Sequence, residues 1–238
     1  MYIVEGNIGA GKSTFLKLLA KQAPEISIVL EPVNNWQDKT YGESLLGNFY
    51  QSPKRWAYTF ETLTMMCRVK EHLLEQENLD PNRIFERSIY SGNYCFAKNS
   101  YANKFLTPIE WHMYSDWFNF LVPSRCQAPT GFIYLRTAPD ICYERAKKRN
   151  RSAEKTLQLS YLKQIHQRHD EFLIEKKDII SQIKETPVLI LDCDQEFEAD
   201  GAKFKEHVTA VQKFLAKTQT TFTPARMMAQ KQSPIKQS

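Results

Sequence analysis

The stretch Tyr2-Ile3-Val4-Glu5-Gly6-Asn7-Ile8-Gly9-Ala10-Gly11-Lys12-Ser13-Thr14-Phe15-Leu16 decides the fold. Gly6 to Ser13 fit the phosphate-loop pattern GxxxxGK[ST], set between an apolar run suited to a first strand and a helical pattern carried by Phe15, Leu16 and Leu19. Glycines at these places let successive backbone N–H groups point at phosphate oxygens. Lys12 adds a mobile positive charge, and Ser13 offers a hydroxyl to a divalent cation. The motif in this context implies a bound nucleoside triphosphate.

Outward from the loop, short β-branched or aromatic runs at Tyr2–Val4, Ile28–Leu30, Arg83–Phe85, Phe132–Leu135 and Val188–Leu191 alternate with helical patterns. That alternation predicts an α/β fold, a doubly wound five-stranded parallel sheet with helices on both faces. The clearest helix follows Pro53, where Trp56, Phe60, Leu63, Cys67 and Leu74 recur at helical spacing and Glu61, Thr64 and Arg68 form a neighbouring stripe. A second long helix is predicted from about Leu159 to Lys184. One domain over residues 1–216 is expected, followed by a disordered basic tail over 217–238 rich in Thr, Gln, Lys, Ser and Pro.

Bulk composition narrows the function classes. No apolar stretch approaches the length of a membrane span. The formal charge is +5, but Lys217, Arg226, Lys231 and Lys236 lie in a final segment without Asp or Glu, so the body carries only about one positive charge and nucleic-acid binding is not implied. Five cysteines (Cys67, Cys95, Cys126, Cys142 and Cys193) show no CxxC or zinc spacing, which reads as reduced thiols in the cytoplasm. The first strand begins at Tyr2, so no signal or transit peptide is expected ahead of the loop.

In open α/β sheets ligands lie beyond the carboxyl ends of the strands. The second predicted strand delivers Glu31 there, and the third delivers Glu86-Arg87-Ser88. A carboxylate at such a site accepts a proton from an attacking hydroxyl or holds Mg²⁺, and an arginine neutralises a transferred phosphoryl group. Each also has a structural alternative: Glu31 or Glu86 as a helix cap, Arg87 as the ion partner of either. The basic run Arg145 to Arg151 is either a solvated helix face or a lid closing over the triphosphate.

Together these stretches resemble the deoxyribonucleoside kinase family. The resemblance is carried by Gly6 to Thr14, by Glu31-Pro32-Val33 with Trp36, and by Pro53-Lys54-Arg55-Trp56 with Thr59-Phe60. It continues through Glu86-Arg87-Ser88-Ile89-Tyr90-Ser91 with Tyr94 and Phe96, the Arg-rich stretch ending at Glu154, and Leu191-Asp192 with Glu196-Phe197. It implies a phosphate-loop kinase fold with an Arg-rich lid, usually homodimeric, that moves the γ-phosphate of ATP to the 5′-hydroxyl of a deoxynucleoside with Mg²⁺. By resemblance, Glu31 is the general base with Arg87 beside it and Lys12 on the phosphates, while Glu86 assists Mg²⁺ alongside Ser13. Gly6, Asn7, Ile8, Gly9, Ala10, Gly11, Lys12, Ser13 and Thr14 bind ATP. So do the lid arginines Arg145, Arg149 and Arg151, and Glu196-Phe197 meet its adenine. Tyr50 and Glu154 match positions that hold the sugar 3′-hydroxyl, and Trp36, Phe60 and Phe96 line the nucleobase pocket.

Two departures from the family pattern concern the nucleobase. Glu61 stands where a glutamine normally reads the base edge, and Gly92 stands where relatives that accept purines or cytosine have an aspartate, although Arg68 is retained. An ionised carboxylate only accepts hydrogen bonds, so Glu61 calls for adjacent donors, which guanine supplies with N1–H and its 2-amino group. The other reading makes Glu61 the ion partner of Arg68 on the same helix face, in place of the missing aspartate. Gly92 is expected to leave space beside the nucleobase and to permit broad specificity.

Other readings stay open from the sequence. A monophosphate kinase of the thymidylate kinase type shares the loop and lid but needs extra basic groups for the acceptor's phosphate, whereas Glu31 and Tyr50 stand at the acceptor end. A non-catalytic subunit of the same fold is opposed by intact Lys12, Ser13, Glu31 and Arg87. His166 and His169 have a spacing that can bind metal but lack a third ligand nearby and read as packing residues. Trp111, Tyr114, Trp117 and Phe118 read as a core or dimer stripe without chemistry.

Overall fold

The computed structural model describes residues 1–31, 44–78, 80–197 and 201–220. Five strands, β1 (Tyr2–Glu5), β2 (Ile28–Val29), β3 (Ile84–Glu86), β4 (Gly131–Arg136) and β5 (Val188–Asp192), pair in parallel in the order β2-β3-β1-β4-β5. Each falls on one of the runs read as strand in the sequence. The chain builds one side of β1 first and then crosses to the other, so the loop leaving β1 sits where the winding reverses, the place such sheets bind ligands.

The helices are α1 (Lys12–Gln22), α2 (Leu45–Gln51), α3 (Pro53–Glu75), α4, α5 (Pro108–Arg125), α6 (Pro139–Arg149), α7 (Leu159–Leu173), α8 (Ser181–Lys184) and α9 (Gly201–Thr220). The α4 segment joins Ile89–Ser91, a π-helical stretch Gly92–Ala97 and Lys98–Ala102. Strand side chains alternate between faces. Tyr2, Val4, Ile133 and Leu135 bury against Phe15, Leu16 and Leu19 of α1 and Val208 and Val211 of α9. Ile3, Phe85, Phe132 and Tyr134 bury on the other face against Tyr94, Phe118 and Phe172. Burial on both faces is why β1 and β4 read as near-continuous apolar runs. Among the described residues no helix is long and apolar enough to cross a membrane.

Three details differ from the sequence reading. In α3 the inward face is not the expected apolar stripe: Leu63 and Leu74 are 38% and 62% exposed, whereas Glu61, Thr64, Met65, Val69 and His72 are buried with Phe60. The helix lies over the cleft and packs against α2 and α5, and those neighbours choose its face. The helix expected to run from Leu159 to Lys184 ends at Leu173, and Lys176 and Asp178 take left-handed φ values of 51° and 53°, which an α-helix does not continue through. At the other end, α9 passes the expected boundary at 216 and runs to Thr220. Its last turn is tied to β1 by a 2.6 Å contact between the Tyr2 and Thr218 hydroxyls. Residues 221–238 lie outside the described residues, as does Trp36.

Candidate active site

The phosphate loop bends where its neighbours leave no room for a side chain. Gly9 and Gly11 hold φ values of 81° and 90°, and a Cβ on Gly9 would lie 2.2 Å from the Cys142 carbonyl oxygen. The loop is thus moulded by α6 beneath it as well as by any ligand. Asn7 is a structural member: its amide donates to Leu162 O at 2.9 Å while its Oδ1 accepts from Ile8 N at 2.8 Å. Lys12 Nζ donates to the loop's own carbonyls, Gly6 O at 3.0 Å and Asn7 O at 2.8 Å. Burial, reinforced by Arg87 and opposed by Glu86, Glu31 and Glu5, brings the Lys12 ammonium down to about 7.

Beside the loop, the strand ends converge. Ser13 Oγ donates to Glu86 Oε1 at 2.6 Å, and the other oxygen of Glu86 accepts from Glu31 N at 3.3 Å. Glu31 is held by two arginines, Arg68 Nη2 at 2.7 Å and Arg87 Nε at 3.3 Å. Burial alone would raise its carboxyl, but Arg68 and Arg87 outweigh it and hold the group at about 2. Arg87 itself sits in the left-handed region at φ 65°, uncommon for a residue other than glycine. It is fixed there by N–H donation to Val4 O at 2.8 Å, by Nη2 to Gly6 O at 3.2 Å, and by the Phe96 ring 4.6 Å from its guanidinium carbon. Its Nη1 is buried with no hydrogen-bond partner among the described residues, an unmet donor of the kind a bound anion satisfies. Among the described residues, Glu31 and Glu86 therefore gather donors at the cleft rather than cap helices.

One cavity runs from Lys12, Ser13 and Glu86 past Glu31 and Arg87 to Phe60, Glu61, Arg68 and Phe96. Tyr50 and Glu154, far apart in sequence, both line it. Phe60 stacks on Phe49, centroids 4.9 Å apart and planes 14° off parallel. Glu61, 1% exposed, accepts from Ser100 Oγ at 2.9 Å. The ion pair between Glu61 and Arg68, one of the two readings open from the sequence, is absent among the described residues, where Arg68 reaches Glu31 instead. Nor is Gly92 beside open space: a Cβ there would meet Arg68 Nη1 at 2.8 Å, so the missing side chain makes way for the guanidinium.

A second cavity opens on the outer side of the loop and is lined by Gly9, Gly11, Thr14, Arg145, Arg149, Glu196 and Phe197, among others. Arg145 donates to the carbonyls of Cys193 at 2.9 Å and Gln195 at 3.1 Å, clamping the segment that carries Glu196 and Phe197. Arg149 and Arg151 both turn to Glu154, at 2.7 Å and 3.5 Å. The basic run is thus tied into the walls of both cavities.

A family model for deoxynucleoside kinases matches residues 2–216. The chain belongs to the deoxynucleoside kinase family. It is similar to a mitochondrial deoxyguanosine kinase of Xenopus laevis, 40% identical over 90% of this chain and 88% of that protein. It is also similar to deoxycytidine kinase 2 of Gallus gallus, at 35% identity over 89% of each chain, and to deoxycytidine kinase of Homo sapiens, at 32% over 90% of each. As a deoxynucleoside kinase it is an ATP-dependent enzyme that phosphorylates deoxynucleosides.

Sequence reasoning missed several residues in and around the candidate site. Glu5 ends β1 fully buried, accepting from the backbone N–H of Ser88 at 3.0 Å and from its hydroxyl. Burial raises its carboxyl despite the nearby Arg87. An acidic residue closing an apolar central strand was the available signal. Phe49, Thr64, Ser100 and Tyr161 were missed because nothing local marks them; they meet the site only through packing. His169 is buried, hydrogen-bonded through Nδ1 to Ile165 O at 2.8 Å and stacked on Tyr134, and burial takes its imidazole down to about 3. His166 faces Asp170 at 3.5 Å.

Proposed function

We propose that this kinase moves the γ-phosphate of ATP directly to the 5′-hydroxyl of a 2′-deoxyribonucleoside, with Glu31 as proton acceptor. The observation that carries this reading is the place of Glu31, between the phosphate loop and the aromatic end of one cavity, held by Arg68 and Arg87. An incoming hydroxyl that displaces Arg68 from one oxygen would relieve part of the charge that depresses this carboxyl and so strengthen it as a base. Lys12 exchanges its two loop carbonyls for phosphate oxygens, whose charge keeps the ammonium protonated. Arg87 offers its unmet Nη1 to the moving phosphoryl group. Ser13 and Glu86 present an all-oxygen donor pair that fits Mg²⁺, directly or through water. Bound with ATP, that ion neutralises charge on the β- and γ-phosphates.

Arg145, Arg149 and Arg151 act as the lid, and Glu196 with Phe197 meets the adenine of ATP. Tyr50 and Glu154 take the sugar 3′-hydroxyl, while Trp36, Phe60 and Phe96 enclose the nucleobase. A guanine or wider purine preference rests on the acceptor oxygens of Glu61 with Arg68 beside them, and similarity to a deoxyguanosine kinase supports it. Ile109, Met113, Trp117 and Phe120 leave an apolar face on α5 at 45–68% exposure, which supports a homodimer. Trp117→Asp should then shift the sedimentation coefficient to that of a monomer. Five cysteines with no disulfide among them support a cytoplasmic setting, which cell fractionation tests.

The deciding experiment offers each of the four deoxynucleosides with ATP and Mg²⁺ and identifies products by ³¹P NMR. 5′-Monophosphates are expected; no phosphorylated nucleoside, or phosphate at the 3′-position, would refute the reading.

A further inference from the structure

At the nucleobase end of the cavity lies a carboxyl that the structure does not commit to one protonation state. Glu61 is 1% exposed and lines the cavity beside Phe60, Thr64 and Phe96. Its partner on the protein side is a neutral hydroxyl, Ser100 Oγ, on Oε1 at 2.9 Å. Arg68, the cation on the same helix, is drawn to Glu31 at 2.7 Å and rests against Gly92, where no side chain competes for it. A buried carboxyl without an ion pair loses hydration and gains little charge stabilisation in return.

The geometry points to Glu61 as a two-state reader of the nucleobase, its ionised form taking guanine alone and its neutral form admitting the other bases as well. Ionised, both oxygens accept, which matches the adjacent N1–H and 2-amino donors of guanine. Neutral, Oε2–H donates while Oε1 accepts from Ser100 and from the ligand. That pattern matches a ring nitrogen acceptor next to an amino group, as in adenine and cytosine, and also the N3–H and O4 pair of thymine. The base preference of this kinase is therefore set by pH as well as by shape.

The surroundings allow the switch to work near neutrality. Burial raises the Glu61 carboxyl to about 7, with Ser100 and Arg68 pulling it back. The titratable groups that face it from the packed elements are Tyr50 of α2, Arg68 of its own helix, Tyr114 of α5 and Tyr161 of α7. The three tyrosines are pushed up by burial and stay neutral, so Glu61 is the member of this group that changes state across the neutral range.

This inference rests on the proposed deoxynucleoside reading. Its test is a competition between deoxyguanosine and deoxyadenosine for the full-length enzyme, with the ratio of kcat/KM measured from about pH 6 to about pH 8. Both substrates meet the same Lys12 and Glu31, so titration of those groups cancels from the ratio and Glu61 does not. The ratio should rise in favour of deoxyguanosine by about tenfold or more across that range. In Glu61→Gln it should be flat and lower, because an amide keeps one donor and one acceptor at every pH. A second readout needs no ATP: calorimetry in two buffers should show proton release on binding deoxyguanosine and uptake on binding deoxyadenosine, a difference lost in Glu61→Gln. If both nucleosides are phosphorylated but the wild-type ratio is flat, or the variant keeps the pH dependence, the two-state reader is overturned and the kinase reading stands. If neither is phosphorylated, both fall.

Discussion

The two ends of the cleft are built on opposite terms. At the phosphate end, nearly every polar side chain is bound to another part of the protein: Lys12 to loop carbonyls, Ser13 to Glu86, Glu86 to Glu31 N, and Glu31 to two arginines. At the nucleobase end, aromatic faces enclose one buried carboxyl with a hydroxyl for a partner. Tight cross-bonding preorganises charge for a transition state that changes little from one substrate to the next. A loosely committed polar group among aromatic rings suits a ligand edge that varies. In the proposed reading, chemistry is therefore concentrated at one end and selectivity at the other.

The sharpest way to break this contrast is Glu31→Gln, which keeps the shape and removes the proton acceptor. The turnover number should fall by about 10²–10⁴ while KM for ATP changes little; an unchanged kcat would take Glu31 out of that role. Next is Glu5→Leu, which leaves the Ser88 N–H unpaired and loosens the turn that holds Arg87. We expect kcat lower by about 10- to 100-fold with KM for the nucleoside preserved, and Glu5→Gln, which keeps the acceptor, close to wild type. If Glu5→Leu alters KM alone, Glu5 does not position Arg87.

Gly92→Ala tests the other end. Its Cβ would press on the far end of Arg68, a flexible group, so thermal stability should hardly change while KM for the nucleoside rises about three- to tenfold. Unchanged kinetics would show that Arg68 is not set by this contact. The smallest effect concerns stability. The Glu61 carboxyl is raised from its ordinary value to about 7, so its contribution is full below about pH 4.5 and is lost as pH rises through about 7. Urea unfolding of Glu61→Gln should show a gain over wild type of about 1–3 kcal/mol at pH 8 that shrinks at pH 5. Glu31, held at about 2, has the opposite sign, with stabilisation kept above its ordinary value and lost as pH falls toward 2.

Legibility in the sequence follows the same division. All five strands, the loop and its helix, and the Glu86-Arg87 pair could be read because each is a local pattern, a run or a spacing. The inward face of α3 could not, since Leu63 and Leu74 give a better apolar stripe than the one that is buried. The partner of Arg68 was left open by the sequence: two charges on one helix face suggested each other, but Glu31 from the end of β2 came closer.

By itself, the sequence determined the parallel α/β sheet and the glycine-rich loop that leads into its first helix, because backbone curvature, strand burial and loop chemistry depend on residues adjacent in the chain. Only the tertiary structure decided which cation holds Glu31, why Gly92 lacks a side chain, and that Glu61 keeps an uncommitted carboxyl. Those outcomes are contests between partners brought together from distant segments, and distance and burial in the folded chain settle them.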